Sequence, residues 1–341
     1  MKRPRCSVEK VRVSSGSATV LGLIEGFLNA KPTTAYLLTY LEGKCTANCR
    51  FCSQAKDSEG RADMLSRVSW PVFQTEDVVS KLAVAAQKKR IMRVCIQALN
   101  YPRVVEDLCA IVGALKSHGV GVPVSISCQP LKREELEKLA ETGVERIGIP
   151  LDAASKDVFN QVKGSFADGP YDWDAQRFAL LEAVKIFGGS HVSTHLMVGL
   201  GETEKEMVQA IQWCVDNHIY PALFAFTPIP GTALEQQSSP TLNCYRRIQL
   251  ARYLIVKGQT RFEKLQFNEY GCLIDFGVHD ETLSRAILSG QPFQTSGCPE
   301  CNRPYYNEKP SGPLYNFPFQ PAPEKIKEIK KQLNQTTSRR F

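Results

Sequence analysis

Between about residues 34 and 227, short apolar runs alternate with longer stretches of helical period. The strand-like runs are residues 35–41 (AYLLTYL), 91–98 (IMRVCIQA), 122–127 (VPVSIS), 144–151 (VERIGIPL), 191–198 (HVSTHLMV) and 222–228 (ALFAFTP). Helical patterns fill intervals at 75–90, 104–119, 132–143, 173–189 and 203–218. The first opens on Thr75, a residue suited to capping, with Glu76 and Asp77 in the turn where acidic groups favour a helix start. Several end on Gly, which tolerates the left-handed conformation of a helix stop. This alternation predicts successive βα units and a parallel sheet. Six units fall short of a closed barrel, so the expected fold is α/β, a partial (β/α)6 TIM-like barrel with its chemistry at the C-terminal ends of the strands.

Beyond residue 240 the pattern changes to a helix over 244–257, a strand or loop at 262–267 and a second helix over 280–289. The run TSGCPECNRPYYNEKPSGPLYNFPFQPAP that follows is too rich in Pro and Gly for regular structure and too aromatic for a linker, so it is expected to pack over the barrel. The last 18 or so residues read as a polar helix or a disordered tail. The expected divisions are an N-terminal extension (1–33), the partial barrel (34–240), a C-terminal irregular extension (241–320) and a basic tail (321–341).

Composition narrows the class. Hydrophobic residues make up 43% and charged residues 23% of 341, and no apolar run is long enough for a membrane span. The N-terminus lacks the apolar core of an export signal, which predicts a cytoplasmic protein without membrane association. The net charge of +7 draws partly on the tail. No basic helix interleaved with aromatics and no nucleic-acid motif accompanies it, so a solvated basic surface or an acidic protein partner accounts for the charge, and nucleic acid is not an expected partner. Twelve cysteines in a chain without an export signal point to metal ligation over disulfides.

The segment GKCTANCRFCSQA after the first strand places Cys45, Cys49 and Cys52 at Cys-x3-Cys-x2-Cys spacing. Three thiolates on one tight loop suit three irons of a cubane and leave the fourth open for a small molecule. Structural zinc generally takes four protein ligands with paired spacings, which this triplet fits badly. The loop resembles the signature of the radical S-adenosylmethionine (SAM) superfamily. The resemblance implies a [4Fe–4S] cluster whose open iron chelates SAM, and reductive cleavage of SAM to methionine and a 5′-deoxyadenosyl radical. Such radicals break unactivated C–H bonds, which carboxylates and histidines cannot do.

Two further segments carry the resemblance. MVGLGETEKE ends the fifth strand in a Gly turn leading to a helix, and is similar to the GLGET segment of biotin- and lipoyl-synthase-like members; this implies SAM contacts for Gly199, Gly201 and Glu202. TPIPGTALE after the sixth strand is similar to their PxPGTxLE turn, which implies that Pro230 and Gly231 help enclose the adenine end of SAM. The second strand departs from the GGEP-like run of the wider superfamily and reads CIQALNYP, leaving Gln97 and Asn100, by analogy, to meet the SAM amino group. Strand four ends IPLDAAS, with Asp152 and Ser155 at the rim; Asp152 is set either to bind SAM or to cap the next helix.

Cys298 and Cys301 form a distant Cys-x2-Cys pair. With Cys272, and Cys6 as a further candidate, they are expected to hold a second cluster, iron–sulfur or zinc. Cys95, Cys109, Cys128, Cys214 and Cys244 lie in strand or helix patterns and read as small buried hydrophobes, with Cys95 and Cys128 near enough to strand ends to face a cavity. The SGCPECNRPYYNEKPSGPLYNFP segment resembles the C-terminal region of one subunit of the two-component lipoyl synthase. The Cys-x4-Cys-x5-Cys run of the single-chain enzyme is missing. The resemblance implies sulfur insertion into an octanoyl chain on a carrier domain, with a homologous second subunit and a ferredoxin- or flavodoxin-type reductant as partners. Biotin-synthase-like chemistry is the alternative within the superfamily, and a non-catalytic cluster- or zinc-binding scaffold the alternative outside it.

Overall fold

The computed structural model describes residues 6–333. The chain enters through β1 (Lys10–Val13) and α1 (Ser15–Leu21), then forms β2 (Thr34–Thr39), β3 (Val72–Gln74) and α2 (Thr75–Gln87). The βα alternation continues with β4 (Arg93–Gln97), α3 (Val104–Ser117), β5 (Val124–Ser127), α4 (Arg133–Glu141) and β6 (Arg146–Gly148). After β6 come α5 (Lys156–Val162), α6 (Trp173–Phe187), β7 (Val192–Val198), α7 (Glu204–Asp216) and β8 (Tyr220–Ala225).

These strands form one eight-stranded sheet in the order β8-β7-β6-β5-β4-β2-β1-β3. The six strands expected from the pattern, β2 and β4 to β8, run parallel to one another. Their outward residues, such as Leu37, Val94, Ile96, Val192 and Leu196, are buried under the helices, as sheets covered on both faces require. The fold is therefore the expected open, partial barrel. Residues 10–13 extend it: β1 pairs antiparallel with both β2 and β3. A four-residue strand, KVRV, is too short to stand out as a period.

Local signals explain most helix starts. Thr203 caps α7 in a reciprocal box, its hydroxyl accepting from Glu206 N while Glu206 Oε2 accepts from Thr203 N at 2.7 Å. Asp172 caps α6 by accepting from Ala175 N at 2.8 Å. Thr75 differs from expectation: it is the first helical residue of α2, not the cap, and its buried hydroxyl has no partner among the described residues.

The C-terminal part comprises α8 (Leu242–Val256), α9 (Asp280–Ser289) and α10 (Pro323–Leu333). Ile326 and Ile329 of α10 join Phe293 and Phe317 in a small second core, so the start of the polar tail is a packed helix; residues 334–341 lie outside the described residues. Between α9 and α10 runs the Pro-rich segment. Its Ser296 Oγ accepts from Leu223 N of β8 at 2.7 Å, and its Asn302 Oδ1 accepts from Thr33 N just before β2 at 3.0 Å. The segment thus ties β8, an edge strand of the sheet, to the entry of β2 across the barrel.

Candidate functional site

The loop after β2 is irregular and held from several sides. Cys45 N donates to Gln54 O at 2.9 Å and closes the loop on itself, while Cys52 N donates to Cys49 O at 2.9 Å in a tight turn. Arg50 N donates to Val162 O of α5, and Arg50 O accepts from Leu234 N. Cys45, Cys49 and Cys52 all line a cavity of about 250 Å³ inside the barrel. Backbone N–H groups are aimed at two of the sulfurs: Asn100 N at 3.1 Å and Ala47 N at 3.5 Å from Cys45 Sγ, and Gln54 N at 3.4 Å from Cys52 Sγ. Such donors suit thiolate ligands. Burial pushes the Cys52 thiol up to about 12 and that of Cys49 higher still, so these groups stay protonated until a metal displaces the proton. Three thiolates with directed donors and an open side toward the cavity fit a cubane with one free iron.

Gln97, Asn100 and Asp152 line the same cavity. Asn100 is bound into the loop, its carbonyl accepting from Thr46 N at 2.9 Å and from Thr46 Oγ1 at 2.8 Å. Gln97 Nε2 donates to Cys95 Sγ at 3.1 Å. Asp152 neither caps α5, whose N-cap is Ser155, nor stands free. It pairs with Lys163 Nζ at 2.7 Å, both side chains less than a tenth exposed, and Lys163 also donates to Pro150 O at 2.8 Å.

Gly199, Gly201, Glu202, Pro230 and Gly231 do not line the cavity. Glu202 folds back on its own turn, accepting from Gly199 N at 2.7 Å and Leu200 N at 3.0 Å, and burial pushes its carboxyl up to about 7 against those donors. Gly199 sits at φ 104°, where a Cβ would lie 2.8 Å from Pro240. Gly231 O accepts from Glu59 N at 2.8 Å and Gly60 N at 3.1 Å, so this turn braces the end of the cysteine loop. Glu202 thus holds its own turn and Gly231 braces the cysteine loop beside the cavity.

Alternate residues of each strand point into the lumen. One row across the sheet pairs Tyr36 with Cys95, Cys95 with Ser125 and Ser125 with Arg146; the next holds Leu38, Gln97, Ser127 and Gly148. All eight line the cavity. The first row lies toward the strand N-termini, opposite the cysteine loop. There the Pro-rich segment delivers Cys298 and Cys301, with Cys298 Sγ 3.5 Å from Ser125 Oγ and Cys301 Sγ 3.1 Å from Tyr36 OH. Arg303 of the same segment lies 3.7 Å over the Phe224 ring. The two cysteine groups therefore open into one lumen from opposite ends.

The other expected ligands are not brought to this pair. Cys272 sits in an outer hairpin, its N–H on Asn268 Oδ1 at 2.9 Å beside the buried Glu204–Arg247 pair. Cys6 lies against α3, with Sγ 3.6 Å from Ala110 O. A hairpin outside the barrel has no path to its floor, so the placement of Cys272 with Cys298 and Cys301 is corrected. Among the described residues, no three His, Cys, Asp or Glu side chains gather around a point for a single metal ion; a cubane spreads its thiolates more widely than one ion does. Lumen residues absent from the expected set include Lys163, and His195 on β7, whose ring lies 4.6 Å from Phe224. Burial lowers the His195 pKa to about 4, with Arg303 and Lys163 acting in the same sense and Asp152 opposing. Among the described residues no helix is long and apolar enough to cross a membrane.

A barrel of this kind with a three-cysteine loop after its first parallel strand defines a class, and comparison supplies its name. The family model described as "Radical SAM superfamily" matches residues 41–214, half of the chain, and the chain belongs to that superfamily. Membership implies a [4Fe–4S] cluster and SAM. Similar curated proteins include the biotin synthases of Saccharopolyspora erythraea, 27% identical over 227 residues (64% of this chain, 59% of that protein), and of Rickettsia felis, 27% identical over 277 residues (77% and 82%). The match to the biotin synthase of a Sulfurihydrogenibium species is 24% identical and covers 66% of this chain and 65% of that protein. Among solved structures, methylornithine synthase aligns with TM-score 0.51 at 14% identity (71% of this chain, 67% of that one). The FeFe-hydrogenase maturase HydG from Carboxydothermus hydrogenoformans aligns with TM-score 0.51 at 17% identity (72% and 55%). These two likenesses concern the fold.

Proposed function

We propose that this radical SAM enzyme inserts sulfur into an octanoyl chain carried on a lysine of a carrier domain, as one subunit of a two-component lipoyl synthase. The observation that carries the reading is the shared lumen: two cysteine groups face it from opposite ends, and its walls include Leu38, Met197, Phe224 and Phe226. An alkyl chain is matched by such walls, since their affinity comes from apolar area removed from water. When bound, a cluster on the loop cysteines supplies the electron that cleaves SAM, and one on the lower pair supplies sulfur.

The protein's own residues prepare the space between. Loop N–H groups orient the ligand thiolates, and Gln97, Asn100 and the Lys163–Asp152 pair offer polar contacts at the upper end, where SAM binds in this reading. His195 is neutral above about pH 4 and so brings no readily lost proton to the lumen. The Pro-rich segment covers the side opening and keeps water from a reactive carbon radical. Its tie to the upper wall, Asn307 O accepting from Thr227 Oγ1 at 3.0 Å, extends the cover along the barrel. A second, homologous subunit for the other sulfur, an acidic carrier domain and a ferredoxin- or flavodoxin-type reductant complete the proposal.

Biotin-synthase-like sulfur insertion is the second reading, supported by the curated relatives of that name. One anaerobic experiment separates the two. The reconstituted, reduced chain is given SAM and either an octanoyl-lysine peptide with the homologous subunit or the desthio precursor of biotin, and products are read by mass. A sulfur-mass gain on the peptide supports the lipoyl reading. Gain only on the biotin precursor replaces it with the second. Absence of 5′-deoxyadenosine from every mixture would leave the non-catalytic scaffold.

A further inference from the structure

We infer that Cys95 is the third thiolate ligand of the lower site, completing with Cys298 and Cys301 an iron–sulfur cluster held on the barrel floor. The inference rests on the proposed reading that a second cluster exists, and it assigns that cluster's place and ligands.

Register carries the argument. Cys95 on β4 is the direct neighbour of Tyr36 on β2 and of Ser125 on β5. Tyr36 touches the Cys301 sulfur and Ser125 touches the Cys298 sulfur, so Cys95 stands in the sheet between the two residues that contact the pair, on the same lumen face. Each sulfur has its own wall partner able to donate to a thiolate: the Tyr36 hydroxyl beside Cys301, the Ser125 hydroxyl beside Cys298 and the Gln97 amide, which donates to Cys95. Hydrogen bonds to sulfur suit ligand thiolates, and three neighbouring cysteines that each have one are found together only at this end of the lumen among the described residues lining it.

Charge agrees. Arg146 and Arg303 line the cavity, and Arg93 reaches Ser125 Oγ at 2.8 Å from the next position on the floor side. Arg93 is paired with Glu145, but Arg303 has no carboxylate at ion-pair distance among the described residues. The buried Nε atoms of Arg93 and Arg146 make no hydrogen bond there, and the two residues share a single carboxylate, Glu145, which lies 3.9 Å from Arg146 Nε. Guanidinium groups left short of anions around three cysteines suit a negatively charged cluster. Cys128 also faces the cavity but lies past the far end of β5, where the carboxylate acting on it is Glu135, and the floor cysteines do not reach it. Three protein thiolates would leave one iron of a cubane without a protein ligand.

The test starts from the full chain carrying Cys45→Ala, Cys49→Ala and Cys52→Ala, so that bound iron reports the floor alone. After anaerobic reconstitution this background is expected to hold about four irons with matching sulfide and to show a cluster EPR signal on reduction. Adding Cys95→Ala is expected to abolish the iron and the signal, as Cys298→Ala with Cys301→Ala does, whereas Cys272→Ala and Cys128→Ala leave both intact. Cys95→Ser, which keeps the size of the side chain, guards against misfolding and is expected to lower iron and alter the spectrum. Full iron with an unchanged spectrum in either Cys95 variant, or loss of iron in Cys272→Ala, overturns the assignment of Cys95 and leaves the second cluster standing. A background that binds no iron overturns the second cluster and the assignment together.

Discussion

His195 allows a quantitative test of how dry the lumen is. Its ring packs on Phe224 inside the barrel, and its pKa falls from 6.5 to about 4, chiefly through burial. In the unfolded chain the imidazole takes up its proton near pH 6.5, while the native state declines it until about pH 4. Within that window the unfolded state binds more protons, so native stability falls as the pH falls; above it the residue costs nothing. At 1.36 kcal/mol per pH unit, the loss reaches about 2 kcal/mol at about pH 5 and about 3 kcal/mol near pH 4. His195→Gln removes the titrating group and with it this slope. Urea unfolding of the metal-free, reduced protein, wild type against variant, should give stability curves that converge or cross toward low pH, the difference shifting by about 2 kcal/mol between about pH 7 and pH 5. Other buried groups such as Glu202 cancel in that difference. Parallel curves across the window would mean that the lumen solvates an imidazolium, and the argument for a water-poor chamber would fail with them.

Three further outcomes are expected. Lys163→Met strands the Asp152 carboxylate and should cost about 3–5 kcal/mol in denaturant unfolding, most of it recovered by adding Asp152→Leu. Gly231→Ala places a Cβ 2.4 Å from Gly60 N at φ 77°, so it should cost about 1–3 kcal/mol and weaken iron retention at the loop cysteines, read by iron analysis. Glu204→Ala removes the buried partner of Arg247 between α7 and α8 and should lower stability by about 3–5 kcal/mol, seen as a drop in melting temperature.

The parallel strands were legible because burial on both faces writes an apolar run into the chain, and the loop cysteines because a cluster motif is local. What escaped was tertiary. Lys163 reaches Asp152 across α5, a pairing no period encodes. Cys95 reads first as a small buried hydrophobe, with a cavity-facing place open to it as to Cys128, since facing a helix or facing a lumen differs only by the parity of one position. A signal was present: Tyr36, Cys95 and Gln97, Ser125 and Ser127, and His195 put polar groups at alternate positions of strands whose other residues are apolar. In a sheet covered by helices, that alternation marks the inner wall of a barrel. Cys272 was assigned by nearness in sequence, and a hairpin on the outer surface carries it elsewhere.

The bridging segment also sets an order in time. A ribosome releases β8 roughly 70 residues before Cys298, a lag of about 4–14 s at ordinary elongation rates. During that interval the emerged chain already includes Cys45, Cys49 and Cys52, while the segment that spans the lower end of the lumen is still to be made. The loop-cysteine site is thus complete in the chain before Cys298 and Cys301 are made, and the segment between α9 and α10 then brings both to the lower end of the lumen.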